Sequence, residues 1–469
     1  MSPSPPNSSS WPGRWLPRII GRSVKVEPDE LVSLLWSAGY FFCLLTSYYI
    51  LKPLRDELGT AGSVENLPWL FTATLAAMLA LNPVFSLLVA RLPRERFIPY
   101  VYRFFALNIL AFYLLLQFGG DTVRIAIGRA FYVWTAVFSL FVVSVFWGLM
   151  ADRFSAEQAK RLFGFIAMGG TLGAIIGAAI TRFAVPRLDT LGIDPANLLL
   201  VSIVMLEAAC RCVRQICRGP GRLDAASERR AGASPIGGSA WAGFARLIRS
   251  TYLLGIAAYL FTFALTNTYL YFARIDISGA VGARSAQRIE FFAGIDLLAN
   301  MLTIFAQLFI TSRMLTRLGI GITLGVLPLI TMIGFGVLAM ASGNLQAAWV
   351  ALIISWLEAL RRASDYALAR PAREALFTVL RREEKYKAKS LIDTVAYRGG
   401  DQAGAWSFRY LMTTLAVPFA GLCLAIVPLA GLWLALGLTL GWRQKRLAAP
   451  TAAAPVAAAP VESATEQDK

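Results

Sequence analysis

The sequence contains no histidine, and only 16% of its 469 residues are charged. Without histidine there is no imidazole to ligate zinc or haem and no base for a Ser-His-Asp triad. Five cysteines (43, 210, 212, 217 and 423) form no C-x-x-C pair and lie in or beside apolar segments, which argues against a disulfide framework and redox chemistry. No G-x-x-x-x-G-K-S/T loop occurs, so the phosphate cradle of an ATP hydrolase is missing. Soluble domains carry roughly 25% charged residues. A chain that is 57% hydrophobic, with a mean hydropathy of +0.58, is therefore neither an ordinary water-soluble enzyme nor a disordered scaffold. It belongs in a bilayer.

A spanning helix needs about 20 mostly apolar residues. Twelve stretches qualify, near 31–51, 67–90, 98–118, 126–151, 162–184, 196–216, 250–273, 289–312, 319–341, 346–368, 388–412 and 417–440. The eleventh is the least apolar, because Lys389, Asp393, Arg398 and Asp401 fall inside it. The net charge of +17 would suggest nucleic acid in a soluble protein, but here it reads as topology. With both termini placed in the cytoplasm, inner segments hold 32 of the 45 lysines and arginines and outer segments hold 10. The expected organisation is a cytoplasmic tail (1–30), a six-helix bundle (31–217), a cytoplasmic linker (218–248), a second six-helix bundle (249–441) and a disordered tail (442–469). Six spans plus six around a linker is the major facilitator layout, in which two bundles rock about a midplane site.

Ionisable residues inside spans are costly and mark cavities or partners. The densest group runs from Lys385 through Lys387, Lys389, Asp393, Tyr397 and Arg398 to Asp401. On a helix Lys389, Asp393 and Tyr397 repeat at i+4, so cations and carboxylates can pair along one face around an anion. The alternative is an interhelical ion-pair lock, or a loop outside the membrane. Lys52, Arg55, Asp56 and Glu57 close the first apolar run; they either hold an anion or snorkel to the interface with local pairing. Asp296, Asn300 and Gln307 form a polar stripe expected to face the central pathway. Glu358, Arg361, Arg362 and Asp365 in span ten and Arg103 and Asn108 in span three are further candidates. Gly169, Gly170, Gly173 and Gly177 make small-xxx-small repeats suited to close helix packing. Trp69, Trp134, Trp147 and Trp406 read as packing residues or interfacial anchors.

Four segments carry a resemblance: Tyr49-Ile-Leu-Lys-Pro-Leu-Arg55-Asp56, Phe146-Trp147-Gly148-Leu-Met-Ala-Asp152, Tyr366 through Pro371-Ala-Arg373-Glu374, and Lys385 to Asp393. In order and spacing they resemble the ATP:ADP antiporter family of bacterial and plastid nucleotide transporters, a branch related to the major facilitator superfamily. The resemblance implies nucleotide exchange, with Arg55 as the substrate-binding cation of span one and Lys389, with Lys387, as the cation of the late motif. The chain departs from the family at Thr135 and near Thr268, where a glutamate would be expected, and in Tyr397-Arg398-Gly-Gly-Asp401. These departures leave room for another phosphorylated or carboxylated anion.

The expectation is thus an all-α membrane protein of twelve transmembrane helices in two pseudo-symmetric bundles, a secondary transporter of the bacterial inner membrane acting as a monomer without cofactor or nucleic acid. Lys52, Arg55, Lys387, Lys389, Asp393 and Arg398 are expected at the substrate, and Asp296, Asn300, Glu358 and Asp401 in coupling or gating. Rival readings are a transporter of the same fold for an envelope precursor, lipid or organic anion, driven by protons, and a non-transporting scaffold whose basic 218–248 loop binds a partner.

Overall fold

The computed structural model describes residue 27 and residues 30–60, 66–91, 94–218, 250–380 and 392–448. The terminal tails, the 218–248 linker apart from Arg218, and Lys385, Lys387 and Lys389 lie outside these. The described chain runs through α1 (Glu30–Thr60), α2 (Leu67–Arg91), α3 (Arg94–Phe118), α4 (Asp121–Arg153), α5 (Ala156–Thr190) and α6 (Leu198–Arg218). It continues through α7 (Thr251–Val281), α8 (Ser285–Phe309), α9 (Gly319–Ala341), α10 (Ala347–Ser364), α11 (Tyr397–Arg409) and α12 (Phe419–Ala448), with no strand among the described residues. Nine of the described helices are long and apolar enough to cross a membrane. The positions of α2, α10 and α11 are helical but fall short of that measure, α10 and α11 because charged side chains interrupt them. Large apolar side chains such as Leu107, Val204, Ile333 and Leu432 are exposed, an arrangement suited to lipid rather than water.

Two helix ends differ from the hydropathy reading in a way that matters for function. α1 continues past 51 to Thr60 and α7 continues past 273 to Val281, so Lys52, Arg55 and Arg274 lie within helices rather than beyond them. Apolar windows stop at the first charges; the backbone does not, because those charges find partners inside the bundle.

Glycines set the closest contacts. A Cβ on Gly169, Gly173 or Gly177 of α5 would lie 2.5, 2.2 or 2.6 Å from the carbonyl oxygen of Ala38, Phe42 or Thr46 on α1. Both series advance by four in the same direction, so α1 and α5 run parallel with backbones touching. Gly400 and Gly404 of α11 repeat this against Phe261 and Leu265 of α7, at 2.3 and 2.9 Å. The pair α7/α11 thus uses the device of α1/α5, six helices later. The tryptophans pack: Trp134 stacks on Phe138 and Trp69 meets Trp406 edge-on between α2 and α11.

Beyond α10 a π-turn, Asp365–Ala369, leads into the short helix Arg370–Leu376. Pro371 has no N–H, so the carbonyl of Ala367 four residues earlier loses its helical donor. The hydroxyl of Thr311, just after α8, donates to that carbonyl instead at 2.8 Å. Apolar contact also crosses the halves: Leu67, Leu70 and Tyr132 are buried among residues of α7–α12, and Ala286 and Ile289 among those of α1 and α3–α6.

Candidate functional site

A cavity of about 370 Å³ opens between α1, α2, α4, α7, α10 and α11. Among the described residues seven cations line it: Lys52, Arg55, Arg274, Arg361, Arg362, Arg370 and Arg398. Six tyrosines (48, 49, 132, 271, 366 and 397) stand among them. Such density of one charge at membrane depth requires partners, and the geometry supplies most of them.

Four of the cations belong to one continuous circuit. Lys52 Nζ lies 2.5 Å from Asp296 of α8, and Arg362 bonds both Asp296 and Glu358. Arg274 then bridges Glu358 at 3.1 Å and Asp56 at 2.8 Å, and Arg55 closes onto Asp56 at 2.5 Å. The circuit starts and ends on α1 and passes through α8, α10 and α7, so it ties the first half to the second. Tyr271 adds a hydroxyl donor to Asp56 at 3.1 Å. Asp56, Asp296 and Arg274 are all at most 1% exposed, a depth at which an unpaired charge would be prohibitive. Aromatic faces complete the setting, with Arg55 4.9 Å from the Tyr132 ring centroid and Arg274 4.8 Å from that of Tyr271.

The far wall holds a second set. Arg370 Nε meets Asp365 at 2.9 Å, and Arg398 Nη1 meets Asp401 at 3.5 Å. Thr268 donates to Asp401 at 3.3 Å. Among the described residues the seven cations stand against five carboxylates (Asp56, Asp296, Glu358, Asp365 and Asp401), which leaves a positive excess of two.

Of the sequence candidates, Lys52, Arg55, Arg398 and Asp401 line the cavity, while Asp296 and Glu358 stand directly behind it as carboxylates of the circuit. Asp393 lies in the π-turn Ile392–Ala396 and does not line the cavity. The polar stripe on α8 divides rather than facing one pathway. Asn300 donates to the carbonyl of Asp296 in its own helix, and Gln307 is exposed. Lys52 and Arg55 do not snorkel: both are turned inward and paired. Thr135 is buried on a bond to Phe131 of its own helix. Sequence reasoning missed Arg274 and Arg370 because hydropathy placed both just past the end of a span. The signal was available: an arginine one or two residues beyond an apolar run, with no turn residue between.

At the end of the bundle where α1 and α5 finish and α8 begins, three ion pairs join the halves. Arg182 of α5 bonds Glu290 of α8, Arg284 meets Asp189 at 2.5 Å, and Arg288 holds Glu57 of α1 at 2.5 Å. The polar contact of Trp406 with Thr72 (3.3 Å) and of Thr72 with Gln402 (2.9 Å) joins α2 to α11.

Solved structures share this architecture. A peptide transporter crystallised with sulfate aligns with a TM-score of 0.60 at 14% identity, covering 92% of this chain and 99% of its own. The nucleoside transporter NupG aligns at 0.57 and 9% identity, over 90% of this chain and all of its own. A D-xylose–proton symporter aligns at 0.56 and 12% identity, over 89% and 97%. These likenesses establish a transporter fold of the major facilitator type. Among curated proteins, ADP,ATP carrier protein 2 of Chlamydia trachomatis serovar D is 23% identical over 368 residues, covering 69% of this chain and 66% of that carrier, just under two thirds of its length. The family profile described as TLC ATP/ADP transporter matches residues 128–437. The protein is a multi-pass membrane protein, and it belongs to the TLC ATP/ADP transporter family.

Proposed function

We propose that this protein exchanges nucleotides, or a phosphorylated anion of similar build, across the bacterial inner membrane by alternating access, with both termini in the cytoplasm. The observation that carries the reading is the cavity's positive excess of two beside six tyrosines. Cations suit phosphoryl oxygens, and tyrosine faces and hydroxyls suit a base and a sugar. Family membership and the Chlamydia relative support the nucleotide over other anions.

Lys52, Arg55 and Arg398 engage the anion, together with Lys387 and Lys389 of the late motif, while Asp393, outside the cavity lining, balances the charge of that motif. Asp296, Glu358 and Asp401 are charge-balancing groups that trade partners as the cavity switches sides, and Asn300 steadies the helix beneath Asp296. With this topology the pairs Arg182–Glu290, Arg284–Asp189 and Arg288–Glu57 close the periplasmic end, so the cavity faces inward. Exchange follows from the charge excess: an empty cavity must carry two uncompensated positive charges through the occluded state, whereas a loaded one does not. The test is equilibrium binding to the purified protein of labelled ATP in competition with ADP, other nucleotides, inorganic phosphate and organic carboxylates. Tight, competitive nucleotide binding that Arg55→Ala abolishes supports the reading; a preference for a non-nucleotide anion moves the substrate elsewhere.

A further inference from the structure

Arg361 and Arg362 are neighbours in sequence and both line the cavity, yet about 100° of helix rotation between them gives each a different set of partners. Arg362 meets two carboxylates of the circuit. Arg361 meets none: its Nη1 donates to the hydroxyl of Thr331 on α9 at 2.8 Å, and its Nη2 to that of Thr266 on α7 at 3.1 Å. Each threonine has already given its own hydrogen to a carbonyl of its helix, Leu327 and Phe263 respectively, and so offers Arg361 only a neutral lone pair. The Nε–H is buried with no partner, in a residue 2% exposed that lines the cavity. A guanidinium has five N–H donors in a rigid plane, and two are used here. The other cations of this wall, Arg370 and Arg398, each have a carboxylate. The wall's excess charge is therefore localised on one side chain.

We infer that Arg361 is an oxyanion subsite of the cavity, separate from the Lys52–Arg55 circuit, which takes a phosphoryl-type group of the cargo into the fork held open by Thr266 and Thr331. A buried guanidinium bonded only to neutral acceptors is the place where an incoming anion gains most, since it displaces no competing carboxylate. Arg362, paired with the carboxylates of Asp296 and Glu358, cannot do the same without breaking the circuit. The two hydroxyls act as positioning groups that satisfy the guanidinium between cargoes without neutralising it. The inference rests on the anion-transporter reading but not on the nucleotide itself.

The experiment titrates the full chain in detergent with inorganic pyrophosphate, ATP and adenosine, reading thermal stabilisation to obtain apparent affinities. The wild type is expected to respond saturably to pyrophosphate. Arg361→Gln is expected to weaken that affinity about 10- to 100-fold, the loss typical of charged hydrogen bonds at a buried site. It should also shrink the ratio of ATP to adenosine affinity, which a purely structural defect would not do. Arg361→Lys keeps the buried charge and the fold but loses the fork, so its affinity should fall between the two; it carries the test if the glutamine variant does not fold. Pyrophosphate binding that depends on Arg361 while ATP does not bind would retain the subsite and reject the nucleotide reading. Equal pyrophosphate affinity in wild type and a folded variant, or no response of the wild type to pyrophosphate, overturns the inference.

Discussion

Asp296→Asn tests whether the circuit around the cavity is an energetic unit. Asp296 is 1% exposed and accepts from Lys52 at 2.5 Å and from Arg362. At an effective dielectric of about 20, one unit-charge contact at that separation is worth roughly 6–7 kcal/mol before desolvation. Desolvation of a buried carboxylate offsets several kcal/mol of this, and removing one partner of a buried pair costs about 3–5 kcal/mol. The substitution takes the circuit from four cations and three carboxylates to four and two. Arg362 keeps Glu358, but Lys52 has no other carboxylate in its bonds. A destabilisation of about 3–5 kcal/mol is therefore expected, read by denaturant or thermal unfolding in micelles. Adding Lys52→Met should recover part of it, because the orphaned charge is gone, with a coupling energy of about 1–3 kcal/mol. Asn300→Ala, which removes only a bond within α8, serves as the control and should cost about 1 kcal/mol. If Asp296→Asn and Lys52→Met add within about 0.5 kcal/mol, the two residues are not coupled and the circuit is only a set of neighbours.

Gly173→Val should prevent α1 and α5 from meeting, since even a Cβ would stand 2.2 Å from the Phe42 carbonyl; loss of monodisperse protein in size-exclusion chromatography is the expected result. Thr311→Val should cost about 1–3 kcal/mol by orphaning the Ala367 carbonyl, and Pro371→Ala should restore most of it by returning the helical N–H. Glu57→Gln together with Arg182→Gln loosens the closed end of the bundle. Labelling of a Tyr271→Cys reporter by a membrane-impermeant thiol reagent from outside should rise several-fold, and unchanged labelling would mean that those pairs do not hold the gate.

The helical architecture was legible because apolar length and the glycine repeats are local properties: Gly169, Gly173 and Gly177 announce close packing wherever they occur. Part of the site was legible for the same reason, since Lys52, Arg55, Arg398 and Asp401 are charges inside or at the edge of apolar runs. What could not be read was pairing. Asp296 and Lys52 are 244 positions apart, and only the fold shows that one neutralises the other. Arg274 escaped because a hydropathy window ends where charge begins, although the helix runs on. Asn300 looked like a cavity residue by spacing from Asp296, yet its amide is spent on the helix's own backbone. Arg361 and Arg362 are indistinguishable in sequence; their surroundings make Arg362 a carboxylate-paired member of the circuit and Arg361 a cation bonded only to hydroxyls.

Counter-flow measures obligate exchange through the cationic cavity directly. Proteoliposomes containing the purified chain, preloaded with ADP or left empty, are given labelled ATP beside an Arg55→Ala control. Uptake is expected to need internal nucleotide and to disappear in the control. Uptake of equal rate into empty vesicles, or exchange that survives Arg55→Ala, would contradict it.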